Sequence, residues 1–128
     1  MVKLVLGEEG SELARLVWLE ADAVQATRLA RVEASAAVAG ARRARRIRPS
    51  GEQRAQAELE SIWRAVVPLE LDEPLETRAA ALACEHAISG ADAVHLAAAV
   101  ETGATLLTWD LRLAAAASSE GLSVLPQG

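Results

Sequence analysis

Residues 89–110 read SGADAVHLAAAVETGATLLTWD. Ser89 is a helix N-cap, its hydroxyl suited to accept a bond from a backbone N–H that the first turn leaves over, and Asp92 then falls in that turn. Ala91, Val94, Leu96, Ala98 and Val100 make a compact, mostly apolar helix. Gly103 stops it, because glycine enters the left-handed conformation of a helix C-terminus without steric penalty. Residues 104–108 form a continuous apolar run of strand length, the pattern of a buried parallel strand. Asp110 follows at once.

Two acids are placed by this reading. In an open parallel sheet, ligands bind at the carboxyl edge of the strands, where the following helices begin. Asp110 belongs to such a strand end and Asp92 to such a helix start, so two acids 18 residues apart in the chain can meet in space. Two local readings compete with a shared site. An acid in a first helical turn is worth about 0.3–1 kcal/mol through the helix dipole alone, and Asp110 is itself a good cap for a helix starting at Leu111.

Length and composition narrow the classes. The 128 residues suit a single domain, here 1–128, and 52% hydrophobic content argues against disorder. There are three Trp and no Tyr or Phe, so the core is Leu, Val and Ala. Base stacking on an aromatic platform is not the expected mode of binding. The single cysteine, Cys84, excludes an internal disulfide and reads as a small buried apolar residue of a reducing compartment. No signal peptide and no membrane-spanning apolar run is present, and the expected location is the cytoplasm. The net charge is −5, yet Arg42, Arg43, Arg45, Arg46 and Arg48 fall within seven residues, and with Arg28, Arg31 and Arg54 they make eight of the 13 basic residues. Such a patch attracts a polyanion even on an acidic protein. It equally describes a solvated helix end.

Residues 1–6 are apolar and too few for periodicity to separate a strand from a helix end. After a turn at 7–10, Ser11 caps a helix with Leu13, Leu16 and Val17 inward. A short strand is expected at 22–25, and Thr27 caps a helix over about 28–46. The apolar stripe of that helix is Leu29, Val32, Ala36, Ala37 and Gly40, which places Glu33 within it. A core-facing carboxylate needs a partner, and an arginine salt bridge would serve. Residues 49–51 break the chain. A helix is expected over 52–66 through Leu59, Ile62, Trp63 and Val66, then a strand at 68–71. Asp72, with Pro74 behind it, starts a helix to about His86 with Leu75, Ala79, Leu82 and Ala83 inward. His86 reads as a partner of the helix dipole. Leu113, Ala116 and Ala117 line a last helix ended by Gly121, and 122–125 is a final strand. Strands alternating with helices make the chain α/β with a mainly parallel sheet.

The pairing of SGADAVHLAAAVETGATLLTWDLRLAAAA with the upstream RLARVEASAAVAGARR resembles the PIN-domain ribonucleases, and within them the VapC toxins of bacterial toxin–antitoxin modules. VKLVLGEEGSELARL and SSEGLSVLP are also similar to the corresponding parts of that family. The resemblance implies a three-layer α/β/α fold and a cluster of acids holding Mg²⁺ or Mn²⁺ for phosphodiester hydrolysis. Glu33, Asp92 and Asp110 match three acidic positions of the family and are expected to face one cleft within metal-bridging reach. Thr108 is read as a supporting hydroxyl. The family's first acid is an aspartate ending a strand just before the VKL segment. On this reading the chain begins inside the family's first helix: either its start is placed too late, or the protein is a shortened form without that strand and its aspartate.

The chemistry requires a cation. Two carboxylates about 4 Å apart repel by roughly 4 kcal/mol at an effective dielectric near 20, and a divalent ion reverses that balance. Mg²⁺ takes oxygen ligands, commonly one or two carboxylates plus waters and substrate phosphate. A metal-activated water is then the nucleophile. Zinc spacing of the Cys/His type is absent: Cys84, His86 and His95 lack a fourth ligand. The arginine cluster offers RNA a backbone-binding surface without a sequence code. The expected function is therefore a metal-dependent endoribonuclease toxin, a homodimer held by a VapB-like antitoxin. The competing function is a PIN-like module that binds antitoxin or RNA without cutting it, which the loss of the first aspartate would favour.

Overall fold

The computed structural model describes residues 6–127. Residues 1–5, on which the expected strand or helix end falls, lie outside it, as does residue 128. The chain divides into two compact units, one up to Pro68 and the other from Leu69 onward.

In the first unit α1 spans Ser11–Glu20, β1 Val24–Thr27, α2 Arg28–Arg43, α3 Pro49–Arg64 and β2 Val66–Leu69. β1 pairs with β2. The centre of this unit is the helical hairpin of α2 and α3. Ala34, Val38 and Ala41 of α2 are buried with Ala55 and Leu59 of α3, and Leu6 and Ile47 close the cluster. Small side chains let the two helices approach closely, and polar bonds then fix their register. The Ser35 hydroxyl donates to Gln56 Oε1 at 2.7 Å, Gln56 Nε2 donates back to the Ser35 carbonyl at 3.1 Å, and Arg42 pairs with Glu52 at 3.1 Å.

Several expectations change here. α2 buries the face opposite to the expected stripe: Val32 is 63% exposed and Ala36 and Ala37 face solvent. Glu33 is accordingly exposed rather than core-facing. The helix holds two stripes of small apolar residues, and the one that matches Ala55 and Leu59 is the one that is covered. Pro49 opens α3 instead of breaking the chain, since proline at the first helical position forfeits no hydrogen bond. Ser11 is not a cap. Gly10, at φ 86°, is the residue before the helix, and the buried Ser11 hydroxyl donates to the Leu6 carbonyl at 2.8 Å. Leu16, expected inward, is exposed.

The second unit contains α4 (Glu73–His86), α5 (Gly90–Thr102), β3 (Leu106–Leu107), α6 (Leu111–Ser119) and β4 (Val124–Leu125). β3 and β4 are parallel, with Leu106 opposite Val124 and Leu107 opposite Leu125. The core is Leu75, Ala79 and Leu82 of α4, Ala93, Leu96, Ala97 and Ala98 of α5, and Leu113, Ala116 and Ala117 of α6. Each helix begins on a side-chain cap. Asp72 accepts from the Leu75 N–H, Ser89 from the Asp92 N–H, and Asp110 from the Arg112 and Leu113 N–H groups. Gly103, at φ 66°, ends α5 as expected. Cys84 is exposed, contrary to the sequence reading, because the inward face of α4 runs through Leu75, Ala79 and Leu82. No helix among the described residues is long and apolar enough to cross a membrane.

Candidate active site

Asp92 occupies the first turn of α5 and is half-buried. Its backbone N–H is used by the Ser89 cap at 3.1 Å. Its carboxylate has no bond or ion pair among the described residues and so keeps full capacity as a ligand. The dipole of α5 favours negative charge at this position.

Asp110 is the N-cap of α6, two residues after Thr108 and close behind β3. Oδ1 accepts from the Arg112 N–H at 2.9 Å and from the Leu113 N–H at 3.0 Å. The capping reading of Asp110 is thus correct. It does not exhaust the residue, because both bonds go to one oxygen and Oδ2 is left without a protein partner among the described residues. Capping also locks the carboxylate's direction, which a metal ligand requires. Thr108 contributes to the same turn: its hydroxyl accepts from the Asp110 N–H at 3.1 Å, so it positions the backbone that presents the acid. Glu33 stands on the exposed face of α2 in the first unit. Asp92 and Asp110, each held at a helix start, offer hard carboxylate oxygens of the kind that Mg²⁺ and Mn²⁺ take.

The chain matches the PIN domain model over residues 1–118. It belongs to the PIN-domain family. Two relatives stand at 41% identity over 128 residues, covering 98% of this chain and 89% of their own lengths: Ribonuclease VapC45 of Mycobacterium tuberculosis strain CDC 1551 / Oshkosh and Ribonuclease VapC49 of strain ATCC 25618 / H37Rv. The alternation of helices with short strands, parallel in β3 and β4, is the α/β order of the PIN fold.

The arginine cluster of this PIN domain spans the end of α2 and the turn that leads to α3. Arg42, Arg43, Arg45, Arg46 and Arg48 line, with Ile47 and Pro49, an open groove of about 540 Å³. The turn is a Schellman motif: the Arg46 N–H reaches the Ala41 carbonyl and the Arg45 N–H the Arg42 carbonyl, each at 2.9 Å. Arg45 takes the left-handed position at φ 57°, where glycine is the usual residue and a side chain costs about 1–2 kcal/mol. Arg42 is tied to Glu52.

One constellation was missed from sequence. Among the described residues, the grouping of three side chains able to share a metal ion is Glu85, His86 and Glu120, with ligand atoms all within 4.8 Å of one another. Glu120 lies 34 residues from His86, and no local spacing signals their meeting.

Proposed function

We propose that this PIN domain is a metal-dependent endoribonuclease of the VapC type, a cytoplasmic toxin held by a VapB-like antitoxin, with Glu33, Asp92 and Asp110 as ligands of one Mg²⁺ or Mn²⁺. The observation that carries the reading is 41% identity, across 98% of the chain, to relatives named as ribonucleases. The arrangement of Asp92 and Asp110 supports it: each is fixed at a helix start and each retains carboxylate oxygen for a cation. An ion held by these carboxylates would supply an activated water and positive charge for phosphodiester hydrolysis. The chain's own residues do the positioning. Ser89 holds the first turn that carries Asp92, and Thr108 holds the turn that carries Asp110. The arginine groove takes the RNA backbone through its phosphates, which gives affinity without sequence preference.

The toxin is a homodimer, and an antitoxin arginine entering the acids replaces the charge of the metal. A monomer at all working concentrations in light scattering would refute the dimer. Cleavage is tested with Asp92→Asn and Asp110→Asn. The amide keeps the shape and the capping oxygen but not the charge, so each variant should retain its circular dichroism and lose Mn²⁺-dependent cleavage of RNA. Two variants that cut as well as the parent chain would reduce Asp110 to a helix cap and Asp92 to a first-turn acid.

A further inference from the structure

The C-terminal ends of α4 and α6 bring together a second, chemically different donor set. His86 Nε2 lies 2.8 Å from Glu120 Oε1, and the two side chains are only 13% and 25% exposed. Glu85 precedes His86, is exposed, and has no bond or ion pair among the described residues. Its carboxylate belongs to the same group, within 4.8 Å. We propose that Glu85, His86 and Glu120 form a site for a divalent transition ion, with Zn²⁺ as its type, distinct in residues and in metal preference from Asp92 and Asp110.

Three features carry this. The donors are one imidazole nitrogen and two carboxylates, and an imidazole selects zinc-like ions over Mg²⁺ and Ca²⁺, which prefer oxygen throughout. Three protein ligands with solvent at the fourth position is a stable zinc arrangement. Both contributing elements present a helix C-terminus: Glu85 and His86 are in the last turn of α4, and Glu120 is the C-cap of α6. The negative ends of two helix dipoles favour a cation between them. The backbone is fixed on both sides. Ala87 closes α4 in the left-handed conformation, and the Glu120 N–H is bonded to the Ala116 and Ala117 carbonyls. Closure on the ion needs Glu85, the exposed member, to swing inward and the His86–Glu120 hydrogen bond to be exchanged for two metal bonds. A bound ion would then clip the ends of α4 and α6 and stabilise the fold by mass action.

The test is calorimetric titration of the metal-stripped chain with Zn²⁺, alongside Co²⁺ loading read by visible absorption. The expected result is one site per chain that excess Mg²⁺ does not displace. Glu85→Gln should weaken it by at least about tenfold, no less than the loss of an outer-shell partner, and His86→Asn should remove it. Asp92→Asn should leave it unchanged, so this site and the ribonuclease reading succeed or fail separately. If His86→Asn does not fold, Glu85→Gln decides, because Glu85 makes no bond that the fold uses. No Zn²⁺ binding by the parent chain, equal binding by Glu85→Gln, or loss of the site in Asp92→Asn would each overturn the proposal and leave His86–Glu120 as a hydrogen bond between two helix ends.

Discussion

The two units start their helices differently. In the second unit all three helices begin on a side-chain cap, from Asp72, Ser89 and Asp110. In the first unit the residues before α1, α2 and α3 are Gly10, Thr27 and Arg48, and none makes a side-chain capping bond. The ends are less lopsided: Arg45 after α2 and Ala87 after α4 are both left-handed without being glycine. Helix starts in the second unit are thus specified by residues three apart in sequence. In the first they rest on tertiary packing, chiefly the α2–α3 hairpin.

Catalysis gives the widest test of this contrast, since it asks whether the unit without caps contributes to chemistry. Glu33→Gln in α2 should lower metal-dependent RNA cleavage by at least about a hundredfold, the scale of removing one preorganised charge partner, with unchanged circular dichroism. Full activity in this variant would confine the acidic site to Asp92 and Asp110. Core truncation comes next. Leu96 and Leu59 are both fully buried, one in each unit. Leu96→Ala and Leu59→Ala should each cost about 2–5 kcal/mol in urea unfolding. A Leu59→Ala cost well under that range would show that the hairpin collapses around the gap and that its packing is loose.

Caps come third. Asp72→Ala should cost about 1 kcal/mol, the usual loss for an N-cap, whereas Arg48→Ala should stay within about 0.5 kcal/mol of the parent. Equal costs at the two positions would dissolve the distinction between the units. The smallest effect is at the left-handed arginine. Arg45→Gly should raise stability by about 0.5–1 kcal/mol through relief of the backbone penalty. In the same variant, salt-dependent RNA binding should weaken as one phosphate contact is lost.

The same contrast decides what could be read from residues alone. The starts at Asp72 and Ser89 and the stop at Gly103 were legible because each is a local hydrogen-bond or backbone requirement written in a few neighbouring residues. The inward face of α2 was not. Ala34, Val38 and Ala41 and the competing Val32, Ala36 and Ala37 both repeat at helical spacing, and only the partner helix selects between them. Asp110 was legible as a cap, and the ligand role proposed for it would use the oxygen that the cap leaves over. Cys84 is exposed although its residue type suggests burial, because the inward face of α4 is set by Leu75, Ala79 and Leu82. The meeting of His86 with Glu120 is long-range and left no trace in spacing.

The exposure of Cys84 has a practical consequence. It is the one thiol in the chain and it lies on the solvent side of α4, so maleimide chemistry will attach a single fluorophore or spin label without mutagenesis. The label sits two residues before His86, close enough for a paramagnetic ion bound at Glu85, His86 and Glu120 to quench or broaden its signal. For the same reason, sizing experiments need a reductant, since air oxidation can link two copies through this sulfur and imitate a dimer.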